Sequence, residues 1–444
     1  MKIQLSDHFT YKKLFRFVLP SIVMMVFTSI YGVVDGLFVS NFVGKNAFAA
    51  VNLIMPFIMI LGSVGFMIGT GGTALVSMTM GTGDGEKANR YFSMLVAFTI
   101  VCGIVFSTFG VIFTPQVARA FGAKEDMLNN CIIYGRIVIA FNTAYMLQNV
   151  FQSFFVTAEK PMLGLIITVI SGITNMVLDA LFIAIFDMGV IGAALATGIS
   201  QCVGGIIPVI YFINKNTSRL RLSFRTVRFE LSPIVKACTN GSSELMSNIA
   251  TSVVSILYNY QLIRFAGADG VSVYGVLMYV QFIFVAVFVG YAVGSAPIVG
   301  YHYGADNYDE LHNMKNKSIK VMIVAGIVMM GLAQLLAEPL AKIFVGYDKG
   351  LYDMTIHAFR IFAASFILTG FNIFASSFFT ALGNGAISAA ISFLRTLVFQ
   401  MLMVILLPII FDIDGIWYSL AVAEICASII SVTFLVAKKK KYNY

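Results

Sequence analysis

Residues 46–83 read NAFAAVNLIMPFIMILGSVGFMIGTGGTALVSMTMGTG and contain no charged side chain. A transmembrane helix needs only about 17–25 apolar residues, so this stretch can cross a membrane and extend beyond the hydrocarbon. A second stretch of similar length, 270–305, is also uncharged. Both runs are apolar throughout and do not alternate between apolar and polar residues. They therefore predict membrane-spanning helices rather than the strands of a β-barrel.

The composition of the whole chain supports a membrane protein. Of its 444 residues, 59% are hydrophobic and 11% are charged, whereas a soluble domain carries about 25% charged residues. So few charges cannot cover a water-exposed surface, which excludes a soluble enzyme and a disordered chain. The five cysteines are scattered without CxxC spacing, so we expect neither a disulfide framework nor a cysteine metal site.

Charged residues divide the chain into twelve apolar segments. We therefore predict an all-α, polytopic membrane protein with twelve transmembrane helices. The expected ranges are 14–40, 47–80, 91–114, 127–157, 161–186, 189–213, 232–264, 271–302, 316–337, 351–382, 385–410 and 414–437.

The basic residues predict the orientation. Of the 29 Lys and Arg residues, twenty lie on the side of the N-terminus, six lie on the other side, and Arg136, Arg360 and Arg395 fall within helices. The positive-inside rule then places both termini in the cytoplasm of a multi-pass plasma-membrane protein. The same bias explains the net charge of +8 without a nucleic-acid partner.

A shift of 223 residues aligns the two halves of the chain. It places Phe42-Val-Gly44 on Phe265-Ala-Gly267, and it places Gly81-Thr-Gly-Asp-Gly-Glu86 on Gly304-Ala-Asp-Asn-Tyr-Asp309. The sequence therefore predicts a six-helix unit that occurs twice.

The duplicated unit determines the expected domain organisation. Because six spans is an even number, both copies share one orientation and are related by a pseudo-two-fold axis along the membrane normal. Parallel repeats of this kind are typical of secondary transporters, whose halves rock about a central site. The predicted organisation is an N-terminal six-helix lobe over 1–214, a basic cytoplasmic linker over 215–230 and a C-terminal six-helix lobe over 231–444.

Two acidic residues within predicted helices of the first half break the repeat. Asp35 corresponds to Tyr258 in the second half. In the later part of the repeat, where the shift is 224 residues, Asp179 corresponds to Met403. An ionisable residue in a membrane helix is costly, so it is a functional candidate by default. Asn175 lies one turn before Asp179 on the same helix face.

The two aspartates predict a site for a coupling ion. Two carboxylates close together in a low-dielectric medium cannot both stay ionised, so one would hold a proton near neutral pH. The same oxygens, with Asn175 and a threonine hydroxyl, could instead coordinate a hard cation such as Na⁺. A structural alternative is that both aspartates pair with arginines inside the membrane or cap interrupted helices.

Three further features bear on substrate and mechanism. Glu244, near the start of the seventh helix, either faces a cavity for cationic substrates or sits at the cytoplasmic rim. Glu424 in the twelfth helix either contacts substrate or pairs with Arg395 in the eleventh. Pro20 can act as a hinge in the first helix and so link its shape to the protonation of Asp35.

Catalytic and nucleotide-binding patterns such as GxSxG, HExxH and the P-loop are missing from the sequence. We therefore expect a secondary active transporter driven by an ion gradient, and not an enzyme. The 40 Phe, 23 Met and 19 Tyr residues would allow an aromatic, thioether-lined cavity for flat apolar cations.

Three stretches resemble the multidrug and toxin extrusion (MATE) family. Leu19-Pro-Ser-Ile22, followed by Tyr31-Gly-Val-Val-Asp-Gly-Leu-Phe-Val39, is similar to that family's first helix. Asn175-Met-Val-Leu-Asp-Ala-Leu-Phe182 and Gly189-Val-Ile-Gly-Ala-Ala-Leu-Ala-Thr197 are similar to its fifth and sixth helices. The likeness covers essentially the whole chain. It implies cation-coupled export of organic cations and drugs by alternating access between two six-helix lobes.

The resemblance also implies site residues. The implied ion-coupling residues are Asp35, Asn175, Asp179, Thr197, Asn149 and Tyr31, of which the first four would hold Na⁺. Some branches of the family have acidic residues in the tenth helix, but here that helix has only Asn372 at its centre. We therefore expect no second ion site there, and Asn372 and Glu244 are the candidates for the substrate cavity.

The expected partners are small organic cations and the lipid bilayer, and the chain is expected to act as a monomer. H⁺ or Na⁺ is the expected coupling ion, with no other cofactor. The alternative function is that of a related flippase or exporter of lipid-linked or other amphipathic substrates. A flippase cavity should be basic enough to bind a pyrophosphate, whereas the charges expected in this cavity are acidic. A channel, the third alternative, would need no ion-coupled conformational cycle.

Overall fold

A computed structural model describes residues 3–214, 216–227 and 229–444 of the chain. Within these ranges the regular structure is entirely helical and includes no β-strand, so the predicted all-α class is confirmed. Lys2, Lys215 and Arg228, which belong to the predicted inner basic residues, lie outside the described residues.

Six helices form the first half. Their bounds are Tyr11–Phe38 with Val39–Val43 for α1, Lys45–Gly81 for α2, Gly85–Ala120 for α3, Glu125–Ala140 with Asn142–Thr157 for α4, Pro161–Asp179 with Ala180–Ile185 for α5, and Gly189–Ile213 for α6. The final segments of α1 and α5 are wider, π-helical turns, and α4 bends by 53° between its two parts.

Six longer helices and one short helix form the second half. Leu231–Gly304 is a single helical run that Gly267 (φ 61°, ψ −146°) divides into α7 (231–266) and α8 (268–304). Asp412 (φ 49°, ψ −134°) divides Gln400–Ala437 in the same way. The remaining bounds are Tyr308–Val345 for α9, Lys349–Phe362 with Ala363–Ser365 and Phe366–Ala381 for α10, Gly385–Phe393 with Leu394–Phe399 and 400–411 for α11, 413–437 for α12 and Lys439–Tyr442 for α13.

The number of long helices agrees with the twelve predicted spans. Among the described residues, nine helices are long and apolar enough to cross a membrane, and the bent α4 adds a tenth. One of the nine, Gly385–Ala437, contains both α11 and α12, and α7 completes the set.

The bounds of α3 and α9 differ most from prediction. The predicted ranges are 91–114 and 316–337, and the observed helices are Gly85–Ala120 and Tyr308–Val345. Both begin at equivalent caps, in which the side chains of Asp84 and Asn307 accept a hydrogen bond from the N–H three residues later. These capped, polar helix ends extend past the apolar segments that defined the prediction.

The two halves of the chain pack together most closely near the side of the membrane on which both termini lie, here called the inner side. There α2 approaches α7 so closely that a Cβ added to Gly71 would collide with the backbone of Ala237. Nearly three helical turns further inward along α2, Gly81 contacts Gly304 of α8. Small residues allow this backbone contact between membrane helices.

Away from this contact, the first half has a core of its own. Val39, Ala50, Ile54, Tyr134 and Ala193 are buried together near its outer side, separately from the larger core that both halves share. The domain boundaries at 1–214, 215–230 and 231–444 stay predictions.

Candidate ion-coupling site

A close approach of α1 and α5 brings the two aspartates together. The helices meet at Gly172, where an added Cβ would lie only 2.9 Å from the ring of Tyr31. Asp35 lies one turn beyond Tyr31 on α1, and Asn175 and Asp179 lie one and two turns beyond Gly172 on α5. A glycine at this contact therefore allows three polar side chains from two helices to meet.

Both helices widen immediately beyond their aspartate. The π-helical turn Val39–Val43 begins one turn after Asp35, and Ala180–Ile185 begins directly after Asp179. Such turns redirect side chains and free backbone groups, and they are frequent at functional sites.

The side chains of this cluster are buried. The exposed fraction is 9% for Asp35, 2% for Asn175 and 0% for Asp179. The carboxyl group of Asp35 interacts with both Asp179 and Asn175. The structure therefore brings these three residues, which were selected from the sequence, into one cluster.

Most oxygens of the cluster lack a hydrogen-bond donor. Oδ1 of Asp35, Oδ1 of Asn175 and both carboxylate oxygens of Asp179 are buried and unpartnered. Burying a carboxylate without a partner is costly, so the arrangement favours binding of a proton or a cation. Four inward-facing oxygens suit a hard cation such as Na⁺, which prefers oxygen ligands, and they equally suit proton binding between paired carboxylates.

Residues of α4 and α6 surround the aspartates. Tyr134 lies near both Asp35 and Asp179 and interacts with the side chain of Thr197. The hydroxyl of Thr197 donates to the carbonyl of Ala193 at 3.0 Å, which leaves its oxygen free to accept a hydrogen bond or bind a cation.

The other half of α4 contributes a second polar group. Tyr31 lies near Tyr145 and Gln148 as well as Asp35, and Tyr145 interacts with Asn149. Asn149 is 3% exposed, and its Nδ2 has no hydrogen-bond acceptor. All six residues proposed for the ion site therefore lie in one region.

Three members of this region were not selected from sequence. Tyr134, Tyr145 and Gln148 are uncharged, so the search for charges in apolar helices did not find them. Their spacing offers a signal, because positions 134, 145 and 149 fall on one face of a continuous helix.

The polar residues of the second half form a different arrangement. Glu424 is 1% exposed and forms an ion pair with Arg395, with Nη2–Oε1 at 2.7 Å and Nε–Oε1 at 2.9 Å. Nδ2 of Asn372 donates to Oε2 of Glu424 at 2.7 Å, and the Ser431 hydroxyl donates to Oδ1 of Asn372 at 2.9 Å. Of the two alternatives for Glu424, the structure shows the pairing with Arg395.

The structure places Asn372 away from any open surface, so its role in a substrate cavity stays a prediction. Its side chain is fully buried, and both ends of its amide are used by Glu424 and Ser431. It supports the ion pair from inside the lobe.

Glu244 lies near the same ion pair but outside its hydrogen bonds. It is partly exposed and interacts electrostatically with Arg395. Pro20 lies within α1, which stays helical from Tyr11 to Phe38, so its role as a hinge stays a prediction.

The described part of the chain was searched for clusters of metal-binding side chains. No group of three or more His, Cys, Asp or Glu side chains there could hold a metal ion. The two aspartates with Asn175 and Thr197 instead offer a mixed set of carboxylate, amide and hydroxyl oxygens.

A two-lobed bundle of twelve membrane helices with one buried carboxylate pair defines a class of membrane transport protein. The model of the MatE family matches residues 20–181 and, a second time, residues 245–406. The chain therefore belongs to the MatE family, and it is a multi-pass membrane protein.

Curated relatives are similar over nearly their full length. The chain is 23% identical over 427 residues to the multidrug export protein MepA of Staphylococcus saprophyticus, covering 94% of this chain and 92% of that protein. It is 22% identical over 418 residues to the MepA of Staphylococcus aureus strain NCTC 8325, with 94% and 92% covered.

Solved structures show the same fold. A crystal structure of a MATE protein in complex with MaL6 has a TM-score of 0.93 at 21% identity, covering 98% of each chain. An outward-facing multidrug resistance MATE family transporter has a TM-score of 0.93 at 22% identity, covering 100% of this chain and 98% of that one.

Proposed function

We propose that this protein is a secondary active transporter that exports organic cations and drugs in exchange for H⁺ or Na⁺. The single observation that carries the proposal is the buried pair Asp35 and Asp179, in which three of the four carboxylate oxygens lack a hydrogen-bond donor. A carboxylate pair of this kind is stable only while an ion neutralises it. The fraction of protein with an ion bound at this pair therefore depends on the conformation and on the ion concentration on the side of the membrane to which the site opens.

Alternating access would couple this site to export. When the lobes are closed on the inner side, a proton or Na⁺ enters from outside and neutralises the pair. Release of the ion toward the cytoplasm then accompanies capture of a substrate, so that the ion gradient drives export. Helix α1 carries Asp35 and packs against both lobes, which makes it the direct link between ion binding and lobe motion.

The names of relatives support export of drugs as the biological task. The staphylococcal relatives are multidrug export proteins, and the similarity extends over 94% of this chain. We extend that activity to this protein, with organic cations as the substrate class and with no enzymatic activity.

The decisive experiment is transport by purified protein in proteoliposomes. Efflux of an ethidium-like dye is measured under a proton gradient alone and under a sodium gradient alone. We expect one gradient to drive efflux and Asp35→Asn to abolish it. Asp187→Asn is a matched control, because Asp187 is exposed in the turn that follows α5. Downhill flux that neither gradient accelerates would contradict coupling and favour a channel.

Glu244 is the proposed cation-attracting residue of the substrate cavity. It is partly exposed and lies near Arg395, whose charge Glu424 already neutralises. Glu244→Gln should therefore weaken resistance to quaternary ammonium compounds more than resistance to anionic drugs of similar size. Unchanged resistance and binding affinity would return Glu244 to a structural role.

The proposed setting is the plasma membrane, with both termini cytoplasmic and one chain as the functional unit. Cysteine labelling in intact cells should reach residue 45 from outside and residue 223 only from the cytoplasm. External labelling at 223 would overturn this topology. Light scattering on the purified protein in detergent measures its mass and so tests whether the protein is a monomer.

A further inference from the structure

A cavity of about 430 Å³ opens near the inner side of the first lobe, between α1, the start of α5 and the end of α6. Arg16 and Pro20 line it from α1, Lys160 and Met162 from the junction of α4 and α5, and Tyr211 from α6. The α1 residues that line the cavity, from Arg16 to Pro20, precede Asp35 by 19 to 15 residues, so the cavity is distinct from the ion site.

The mouth of this cavity is positively charged. Arg16 is exposed and, among the described residues, has no carboxylate in ion-pair distance. Lys160 donates to the Thr217 hydroxyl at 2.8 Å, a neutral partner, and no carboxylate in the described part of the chain lies in ion-pair distance of it. The acidic residue in the lining, Glu159, forms an ion pair with Arg219 at 3.3 Å.

An apolar track leads from the mouth along the membrane-facing side of α5. Its side chains are exposed and recur at helical spacing: Met162, Ile166, Ile170, Ile173 and Val177. Leu19 and Val23 form a parallel exposed row on α1. In a bilayer, both rows would contact acyl chains.

We propose that this cavity binds an anionic phospholipid of the inner leaflet. Arg16 and Lys160 would contact the phosphate, as paired basic residues do at cytoplasmic membrane surfaces, and an acyl chain would follow the rows on α1 and α5. Because Pro20 lines the cavity, the bound lipid would also contact the helix that carries Asp35. The proposal does not depend on the transported substrate.

Native mass spectrometry of the detergent-purified full chain tests the site. Phosphatidylglycerol, phosphatidylcholine and soluble glycerol phosphate are added separately. We expect retention of phosphatidylglycerol, and the double variant Arg16→Gln with Lys160→Gln should weaken it by roughly ten- to thirty-fold. Lys439→Gln with Lys440→Gln removes the same charge from exposed positions of α13 and should have no effect.

Three outcomes would overturn the lipid site. One is an equal loss of phosphatidylglycerol binding in the control variant Lys439→Gln with Lys440→Gln, which would mean that the lipid is attracted by charge in general. Another is equal retention of phosphatidylcholine. The third is displacement by glycerol phosphate at the same concentration, which would mean a site for soluble phosphates. Ile166→Gln, on the apolar track, should weaken the lipid but not glycerol phosphate, and melting temperatures verify that each variant folds.

A second proposal concerns residues 3–10, which precede α1 and lie across the inner side between the lobes. Leu5 and Phe9 in this segment are fully buried. On the first lobe, the N–H of Leu5 donates to Oε1 of Glu159 at 2.9 Å. The segment is therefore fastened to the first lobe both by the chain itself and by a charged hydrogen bond.

The contacts with the second lobe are equally specific. The N–H of Phe9 donates to Oε1 of Glu310 on α9 at 2.9 Å, and Nδ1 of His8 lies 2.6 Å from Oε2 of the same carboxylate. The ammonium of Lys317 donates to the carbonyl of Phe9 at 2.6 Å. Glu310 itself is 5% exposed, so these are charge-assisted hydrogen bonds in a largely buried place.

We infer that residues 3–10 form an inner strap that stabilises the conformation closed toward the cytoplasm. Separation of the lobes on the inner side has to break the bonds to Glu310 and Lys317, because the strap is continuous with α1. The inference rests on the alternating-access cycle proposed above. Its expected consequence is that loss of the strap shifts the equilibrium toward the inward-open conformation.

Distances between spin labels test the strap without any transport measurement, so its failure is distinguishable from failure of the proposed function. Labels at positions 86 and 440, both exposed on the inner side, report separation of the lobes. Glu310→Ala should increase the widely separated population several-fold, and Glu310→Gln, which keeps an acceptor, should increase it less. Asp309→Ala, at the exposed neighbour, is the control. Distance distributions that match between the unmodified protein and Glu310→Ala would overturn the strap, provided that the variant melts as the control does.

Discussion

Each lobe buries carboxylates among its helices, and within the described residues the pair at Asp35 and Asp179 lacks partners whereas Glu424 is fully paired. In the first lobe, Asp35 and Asp179 face each other, and three of their four oxygens lack a donor. In the second lobe, Glu424 accepts hydrogen bonds from both Arg395 and Asn372. The same type of residue at membrane depth can therefore serve either ion exchange or packing, depending on what surrounds it.

The difference follows from the energetics of buried charge. A carboxylate with no counter-charge must gain a proton or a cation to remain buried, and it can lose that ion when the site opens. A carboxylate held by an arginine needs no exchangeable ion, and breaking its pair exposes the full desolvation penalty. We therefore expect substitutions in the Asp35–Asp179 cluster to affect transport and those in the Arg395–Glu424 pair to affect stability.

The largest expected effect is on coupling. Asp35→Asn removes one charge from an unpaired cluster, so folding and dye binding should persist while gradient-driven efflux falls below detection. Melting temperature, dye binding and efflux are measured on the same preparation. Efflux at the unmodified rate would exclude Asp35 from the coupling site, and failure to fold would make the aspartate structural.

The next effect tests the second lobe. Arg395→Met leaves Glu424 buried without its counter-charge and should lower the free energy of unfolding by about 3–5 kcal/mol. The double variant Arg395→Met with Glu424→Met replaces the pair by apolar side chains and should recover most of that loss. Stability is followed by denaturant unfolding in detergent. A double variant no more stable than the single one would show that the pair is not the source of the loss.

The sequence was informative where a single residue carried a signal by itself. Charges interrupting apolar runs identified Asp35 and Asp179, and the repeat aligned the two loops that contain Asp84 and Asn307. Such features need no knowledge of which helices touch, because the cost of burying a charge is local and a repeat is read from residue spacing alone.

The sequence was insufficient where a residue's role depends on which neighbouring helix its side chain faces. Asn372 stands at the centre of an apolar helix, but only the packing of α10 against α12 shows that it faces Glu424. Tyr134 and Tyr145 were missed because they are uncharged, and the face that they share with Asn149 does not show that it meets Asp35 and Asp179. The break at Asp412 falls between the predicted helices 385–410 and 414–437, but the sequence did not show whether Glu424 beyond it faces Arg395 or the substrate.

A milder effect on transport should come from Asn175. Asn175→Ala removes one neutral oxygen from the ion site and leaves both carboxylates, so we expect efflux to fall several-fold without being abolished. Its control is Thr174→Ala, because Thr174 faces away and its hydroxyl donates to the carbonyl of Ile170 within α5. If Na⁺ is the coupling ion, Asn175→Ala should also raise the sodium concentration for half-maximal efflux. A control variant as impaired as Asn175→Ala would mean that the effect comes from the helix and not from the site.

The smallest effect tests how far the second lobe's network extends. The Ser431 hydroxyl donates to Oδ1 of Asn372 at 2.9 Å, and Asn372 in turn donates to Glu424. Ser431→Ala should lower the free energy of unfolding by about 1 kcal/mol, the usual net value of one buried hydrogen bond. Combined with Arg395→Met, the same substitution should cost less than it does alone, because Asn372 then no longer orients a paired carboxylate. A double-mutant cycle on denaturant unfolding measures that coupling. Strictly additive losses would show that Ser431 and Arg395 act independently, so that the ion pair, and not an extended network, is what distinguishes this lobe from the first.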